Sequence, residues 1–131
     1  MNLTIPLAAV AALALASGAA AETAQPKGDS AKGKTIFGSQ CMLCHSVAAG
    51  QEGAAPNLAG VVGRKAASDP GFPAYSKALK ASGLTWTAAN VNKFLSGPAK
   101  LVPGTNMPIT LSNPADRANV VAYLASTKGS H

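Results

Sequence analysis

Metal-ligating side chains are scarce in this sequence, which has two cysteines and two histidines among 131 residues. A structural zinc site normally takes four protein ligands, and one of the two histidines is the last residue of the chain. A disulfide between Cys41 and Cys44 would close a very short loop and would leave the adjacent His45 unexplained. The sequence therefore argues against a zinc-structured or disulfide-stabilised fold.

Strand patterns are also missing, because no stretch alternates convincingly between apolar and polar residues. Without a βαβ context, the two cysteines do not fit a thioredoxin-like redox pair. Helix signals are present instead, and the sequence predicts an all-α fold. We expect helices over residues 30–40, 73–83, 88–96 and from 114 onward, with caps at Asp29 or Ser30, Thr87 and Asn113.

A long irregular stretch separates the first two predicted helices, between His45 and Pro73, and it is rich in glycine. Structureless segments of this length are uncommon inside a compact domain unless they are functional. A buried ligand would explain the stretch, because the chain can then fold over the ligand instead of over other protein segments.

The N-terminal residues 1–21 form an apolar run that ends in Ala19-Ala20-Ala21, a small-residue cleavage region. No Lys or Arg precedes the apolar core, so only the amino terminus supplies positive charge there. We interpret the run as a secretory signal, with an uncleaved anchor as the alternative. The prediction is a bacterial periplasmic protein whose mature domain spans residues 22–131 and does not insert stably into the membrane.

Acidic residues are few, and the formal net charge is +6 at pH 7. The lysines are scattered rather than clustered, and an exported protein rarely meets nucleic acid, so we expect no nucleic-acid partner. An acidic docking surface on a redox protein is the favoured partner, and a merely soluble basic surface is the alternative. We expect a monomer.

Against this background, the run Cys41-Met42-Leu43-Cys44-His45 is the most informative feature. Residues three apart share one face of a helical turn, so both thiols can reach the same edge of a flat ligand. A C-x-x-C-H run is typical of c-type haem attachment, with a thioether from each thiol and the histidine as an axial iron ligand. The sequence predicts one haem c, attached through Cys41 and Cys44 and ligated by His45.

The second axial ligand follows by elimination. Met1 is lost with the signal, Met42 lies inside the attachment motif, and His131 ends a short polar tail. Met107 remains, in a loop stiffened by Pro103 and Pro108. Two protein ligands on the iron favour an electron carrier over an enzyme.

From Gly28 to Lys128 the chain resembles the small class I cytochromes c. The residues that carry the resemblance are Gly33 and Phe37, the attachment motif, Pro56-Asn57-Leu58, Gly60-Val61-Val62-Gly63-Arg64-Lys65, Tyr75-Ser76, Leu84-Thr85-Trp86, Pro103-Gly104-Thr105-Asn106-Met107 and Ala122-Tyr123-Leu124. The resemblance implies a cytochrome c fold, in which helices and long loops wrap one covalently bound haem, and it implies electron transfer.

The resemblance also implies roles for individual residues. The carbonyl of Pro56 would accept the His45 ring N–H, and Arg64, Tyr75 and Trp86 would face the haem propionates. Gly33 and Phe37 would pack closely against the last helix. Gln40 and Asn106 stand where lysines are usual beside the exposed haem edge, and Phe94 stands where a tyrosine is usual.

Two other functions stay open on the sequence alone. One is a haem enzyme or ligand sensor in which Met107 dissociates from the iron. The other is a cytochrome subunit of a periplasmic dehydrogenase complex.

Overall fold

The computed structural model describes residues 27–51 and 53–128. Its helices, in chain order, are α1 Ser30–Gln40, α2 Lys77–Ala81, α3 Ala88–Ser96, α4 Pro98–Leu101 and α5 Pro114–Ser126. The described residues form no strand, and their only β-pairing is an isolated antiparallel bridge between Lys65 and Thr85. The prediction of an all-α fold is confirmed.

The predicted export signal, residues 1–21, lies outside the described residues, as does His131. Within residues 27–51 and 53–128, no helix has both the length and the apolar character needed to cross a membrane.

The predicted helix caps are present where the sequence indicated them. The Asp29 carboxylate accepts from the backbone N–H groups of the first turn of α1, at 2.9 and 3.1 Å. Thr87 Oγ1 caps α3 by accepting from the Asn90 N–H, and Asn113 Oδ1 caps α5. Each of these side chains satisfies a backbone donor that has no partner inside the helix, which explains why the helices begin at these points.

The predicted start of α2 at Pro73 is wrong, because the helix begins at Lys77. Ser76 caps it, with Oγ accepting from the Leu79 N–H at 3.1 Å. The preceding Tyr75 is held outside the helix, since its hydroxyl accepts from the Asp69 N–H at 3.2 Å.

Helix α4 was not predicted from the sequence. Gly97 and Pro98 end α3 as expected, but Pro98 also occupies the first position of a new turn. Proline is well suited to that position, because its missing N–H would have had no partner there.

The closest helix contact in the fold is the crossing of α1 and α5. A Cβ at Gly33 would lie under 3.0 Å from the Asn119 carbonyl oxygen, so only a glycine allows the two backbones to approach this closely. One turn further along α1, the Phe37 ring packs on the Tyr123 ring with centroids 5.4 Å apart. The expected packing of Gly33 and Phe37 against the last helix is thus present. It fixes the direction of α1 and therefore the position of Cys41 at the end of that helix.

The hydrophobic core surrounds a central cavity rather than filling the middle of the molecule. Core side chains that also line this cavity come from α1, α3, α5 and the connecting loops: Phe37, Cys41, Val61, Trp86, Val91, Phe94, Leu95, Leu111, Val120 and Leu124. The fold therefore presents a continuous apolar wall to whatever occupies the cavity.

The tight crossing predicts opposite effects for two substitutions in α1. Gly33→Ala should lower the free energy of unfolding of the haem-loaded protein by about 1–3 kcal/mol or more, because the new methyl group collides with backbone. Gly38→Ala is the matched control, since a Cβ there meets only Met42 Sδ at 4.0 Å. Gly38→Ala should raise the stability by roughly 0.5–1 kcal/mol through better helix propensity. Guanidinium unfolding measures both, and equal effects at the two positions would contradict the close crossing.

Candidate functional site

The central cavity has a volume of about 510 Å³. This volume lies within the range of roughly 300–1,000 Å³ that is common for cofactor and ligand pockets. Its walls are mainly apolar, and the few polar side chains that line it lie in the loops and at the ends of helices. Such a lining suits a large, flat and mostly apolar ligand with a limited number of polar groups.

The attachment motif continues directly from the end of α1. Cys41 caps the helix, and the chain then turns so that the N–H groups of Cys44 and His45 both donate to the Cys41 carbonyl, at 3.1 and 2.9 Å. Cys41, Cys44 and His45 all line the cavity. The intervening Met42 and Leu43 are 61% and 86% exposed. The turn therefore leaves these two side chains in solvent, while the two cysteines and the histidine line the cavity.

Burial controls the chemistry of Cys41. It raises the pKa of the Cys41 thiol to about 11, because the thiolate is poorly solvated there. A buried thiol that stays protonated sits in an environment suited to an uncharged thioether. Cys44, by contrast, is exposed.

His45 is oriented by one short hydrogen bond. Its Nδ1 lies 2.7 Å from the Pro56 carbonyl oxygen, so Nδ1–H is the donor and Nε2 keeps its lone pair. Burial lowers the pKa of His45, and the bond to Pro56 opposes this effect to a smaller extent. A neutral imidazole with Nε2 available is the form that binds iron.

Met107 is the half-buried methionine in the loop that follows α4, and it lines the same cavity. Its backbone N–H donates to Thr105 Oγ1 at 3.3 Å. Met42, the other methionine in the described part of the chain, is exposed and does not line the cavity. The structure therefore brings together the motif and Met107, which are far apart in sequence.

Arg64, Tyr75 and Trp86 bring polar groups to the cavity, and a short backbone pairing joins the segments of Arg64 and Trp86. The N–H of Trp86 donates to the Arg64 carbonyl, and the Gly63 N–H donates to the Trp86 carbonyl, both at 2.8 Å. Arg64, Tyr75 and Trp86 all line the cavity. The guanidinium of Arg64 also donates to the carbonyls of Asn57 and Ala59, at 2.9 and 3.3 Å.

Asn57 and Asp69, which sequence reasoning left without a role, join the loops that carry His45, Arg64 and Tyr75. The Asn57 side chain donates to the Ala48 and Gln51 carbonyls at 2.7 and 2.9 Å, which folds the loop after His45 into place. The Asp69 carboxylate accepts from the Asn57 N–H at 3.2 Å, and the Asp69 N–H donates to the Tyr75 hydroxyl. The sequence could have drawn attention to Asn57, because it directly follows Pro56. No local sequence pattern indicated a role for Asp69.

The exposed residues that line the cavity are uncharged. Gln40, Asn106, Pro108 and Ile109 are exposed lining residues, and Arg64 is the lining residue with a guanidinium group. No lysine of residues 27–51 and 53–128 lines the cavity. The lysine charges therefore lie away from the cavity walls, and Arg64 brings the one guanidinium among the lining residues.

The donor set fits a haem with covalent attachment. Two thiols and an imidazole share one wall, a thioether lies on another segment, and an arginine and two aromatic polar groups line the apolar cavity. In the described part of the chain, no three His, Cys, Asp or Glu side chains cluster as they would to hold a metal ion by themselves.

Comparison with known proteins also points to haem. The sequence model of the family described as "Cytochrome c" matches residues 30–128. Cytochrome c2 of Rhodomicrobium vannielii is 47% identical over 109 residues, covering 82% of this chain and 86% of that protein. Cytochrome c of Tetrahymena pyriformis is 47% identical over 106 residues, covering 80% of this chain and 94% of that protein.

A solved structure agrees with the sequence comparison. Cytochrome cH from Methylobacterium extorquens superposes with a TM-score of 0.68 at 42% identity, covering 74% of this chain and 97% of that one. Proteins of this family carry covalently attached haem c, and Cys41 and Cys44 have the spacing of the attachment cysteines.

Covalent attachment predicts the behaviour of a double variant. Replacing Cys41 and Cys44 by Ala removes both thioethers, so haem should be lost on acid–acetone extraction of the variant and retained by the wild type. Single replacements serve as controls, because one remaining thioether should still hold the haem. Haem retained by the double variant after extraction would show that attachment does not run through these thiols.

Proposed function

Because the chain belongs to the cytochrome c family, we propose that this monohaem electron-transfer protein shuttles single electrons between redox partners in the bacterial periplasm, with His45 and Met107 as axial iron ligands. Like its relatives, it is an electron carrier rather than an enzyme. The observation that carries the proposal is that one cavity receives Cys41, Cys44, His45 and Met107 together. When bound, the haem supplies the one-electron chemistry.

The geometry at His45 supports its role as one axial ligand. The 2.7 Å bond to Pro56 holds the imidazole in one tautomer and directs Nε2 away from the carbonyl. Burial of the ring lowers its pKa, so the neutral form that binds iron is favoured at neutral pH.

Elimination within the cavity supports Met107 as the second axial ligand. Of the methionines in the described part of the chain, Met107 is the one that lines the cavity. A thioether and an imidazole from this cavity would together fill the two axial positions of a bound haem, which would leave no open position for a substrate. His/Met ligation raises the reduction potential relative to ligation by two histidines.

We assign three polar lining residues, Arg64, Tyr75 and Trp86, to contacts with the haem carboxylates. Arg64 supplies a cation, and Tyr75 and Trp86 carry polar groups beside an otherwise apolar wall. A carboxylate removed from water needs charge or hydrogen bonds to offset its desolvation. The Asn57 and Asp69 contacts hold this loop in position for that task.

Export is the remaining part of the proposal. The apolar residues 1–21 end in a small-residue cleavage region, so we place the mature domain at residues 22–131. The periplasm follows from export in a bacterium.

Docking on a partner would use two kinds of surface. The uncharged exposed residues Gln40, Asn106, Pro108 and Ile109 form the rim of the cavity, and apolar contact there would bring a partner close to the haem. The lysines lie outside this rim, among them Lys34, Lys65, Lys93 and Lys100, all exposed. We assign these charges to steering of an acidic partner, which mainly affects association rate. The carrier is proposed to act as a monomer.

Ligation by Met107 predicts a spectroscopic result. Met107→Ala should retain covalent haem but lose the near-infrared charge-transfer band of methionine-ligated ferric haem. The reduced variant should bind carbon monoxide at neutral pH, whereas the reduced wild type should resist it. A surviving band would rule out Met107 as the ligand, and ready binding of carbon monoxide by the wild type would favour the sensor or enzyme with a dissociable methionine.

Electrostatic steering predicts a dependence on salt. The Debye length falls from about 10 Å at 0.1 M to about 3 Å at 1 M salt, so the bimolecular rate of reduction by a physiological partner should fall steeply across this range. Lys100→Glu should slow association more than dissociation, because α4 leads into the Met107 loop. Stopped-flow kinetics over a salt series measures both effects.

Lys27→Glu is the matched control for charge. It changes the net charge by the same amount, but Lys27 precedes α1, whose 11 residues span about 16 Å before Cys41 is reached. Equal slowing by the two variants, or a rate that does not vary with salt, would contradict steering by local charge and would leave the haem assignment intact.

A further inference from the structure

The segment that carries Met107 has few hydrogen bonds of its own. From Asn106 to Thr110 no residue belongs to a helix, and Pro108 has no N–H to donate. The Met107 N–H bond to Thr105 Oγ1, at 3.3 Å, is the one hydrogen bond that this part of the described chain makes. The position of Met107 therefore depends on how the two ends of the segment are anchored.

The upstream end is anchored by a turn after α4. The Thr105 N–H donates to the Val102 carbonyl at 3.0 Å, and the Val102 N–H donates to the Pro98 carbonyl at 2.8 Å. Val102 is buried in the core, so this end is fixed by packing as well as by hydrogen bonds.

The downstream end is anchored at Leu111, four residues after Met107. The Leu111 N–H donates to the Leu95 carbonyl of α3 at 2.8 Å. Arg117 of α5 holds the same point from the other side, because its Nη1 donates to the carbonyls of Leu111 and Ser112, both at 2.8 Å. Its Nε donates to Asn92 Oδ1 of α3 at 3.2 Å.

These contacts make Arg117 the side chain that joins the end of the Met107 segment to both α3 and α5. The guanidinium is half-buried, and its hydrogen bonds all go to neutral oxygens of these two regions. Bonds from a charged donor are stronger than those between neutral groups, so this is a firm attachment for a segment with little internal support.

We propose that Arg117 is a positioning residue for the Met107 ligand: by holding the Leu111 and Ser112 carbonyls, it keeps the segment closed and limits how often the thioether leaves the iron. The inference rests on the proposed ligation by Met107. It differs from a general role in stability, because it predicts a change in the local opening of the segment beyond any change in global unfolding.

Imidazole binding to the ferric holoprotein measures this opening. External imidazole can occupy the iron only when Met107 has left, so its apparent affinity rises in proportion to the open fraction. Arg117→Gln should increase the apparent affinity about tenfold, which corresponds to roughly 1.4 kcal/mol. The near-infrared methionine band should disappear at correspondingly lower imidazole concentrations.

Two further variants separate positioning from plain destabilisation. Asn113→Ala removes the cap of α5, where Asn113 Oδ1 accepts from the Ala115 N–H at 2.8 Å. The Arg117 N–H donates to the backbone carbonyl of Asn113, which the substitution keeps, and the guanidinium contacts do not involve the Asn113 side chain. It should lower the guanidinium midpoint while leaving imidazole affinity within about twofold of wild type. Arg117→Lys should recover much of the wild-type behaviour, since an ammonium can donate to the same two carbonyls.

The outcomes distinguish the inference from the function on which it rests. Met107→Ala should bind imidazole much more tightly than wild type; equal affinity would refute ligation by Met107 and the inference with it. If Met107→Ala binds tightly but Arg117→Gln matches wild type, the ligation stands and the inference is overturned. It is also overturned if Asn113→Ala opens the segment as much as Arg117→Gln, or if Arg117→Lys recovers nothing. If the Gln variant folds poorly, Arg117→Lys is compared directly with wild type: an imidazole affinity within about threefold of wild type is expected, and one about tenfold higher would overturn the inference.

Discussion

The structure depends on a shared surface: the side chains of the hydrophobic core are also the walls of the central cavity. Phe37, Phe94 and Val120 are all less than 9% exposed, and each faces the space that the haem is to occupy. Burial of apolar area is the main favourable term in folding, and a chain of this size has little core to spare. A bound haem would therefore complete the core, and the apolar contacts that stabilise the fold would also shield it from water.

The crossing of α1 and α5 directs this core toward the attachment motif. Close approach at Gly33 and ring packing of Phe37 on Tyr123 fix the axis of α1, and α1 ends at Gln40, immediately before the first cysteine. The motif needs no regular structure after that point, because the turn at Cys41 and the bond from His45 to Pro56 set the geometry locally. The backbone contact at Gly33, about two helical turns before Cys41, thus sets the direction of the helix end that carries the first cysteine.

How far the sequence predicts this structure varies with the range of the interaction. The caps at Asp29, Thr87 and Asn113 are local, and the sequence placed all three helix starts correctly. The predicted start of α2 at Pro73 was wrong, because Ser76 provides the cap and the helix begins at Lys77; the Tyr75 hydroxyl before it bonds the Asp69 N–H.

For the site too, the sequence predicted the local features but not the long-range contacts. The attachment motif was visible in five residues, and the elimination that led to Met107 needed only a count of candidate ligands. Asn57, Asp69 and Arg117 act through backbone carbonyls and amides that come from other parts of the chain. Contacts with the backbone leave no sequence pattern at the partner, so the roles of these residues could be recognised only once the fold had brought the segments together.

The two axial ligands of the proposed centre are held in different ways, and this difference has a functional consequence. His45 lies one residue from a covalent attachment point and is oriented by a 2.7 Å hydrogen bond, so it moves only with the haem. Met107 lies on a segment that is fixed mainly at its ends, by Val102 on one side and by the Leu111 contacts on the other. Any change in iron ligation should therefore begin at the methionine. The stability of the bond between Met107 and the iron would then depend on the contacts of Val102 and Leu111 rather than on Met107 itself. An electron carrier benefits from anchors that keep the thioether in place, since retained ligands leave little to rearrange when the iron gains or loses an electron.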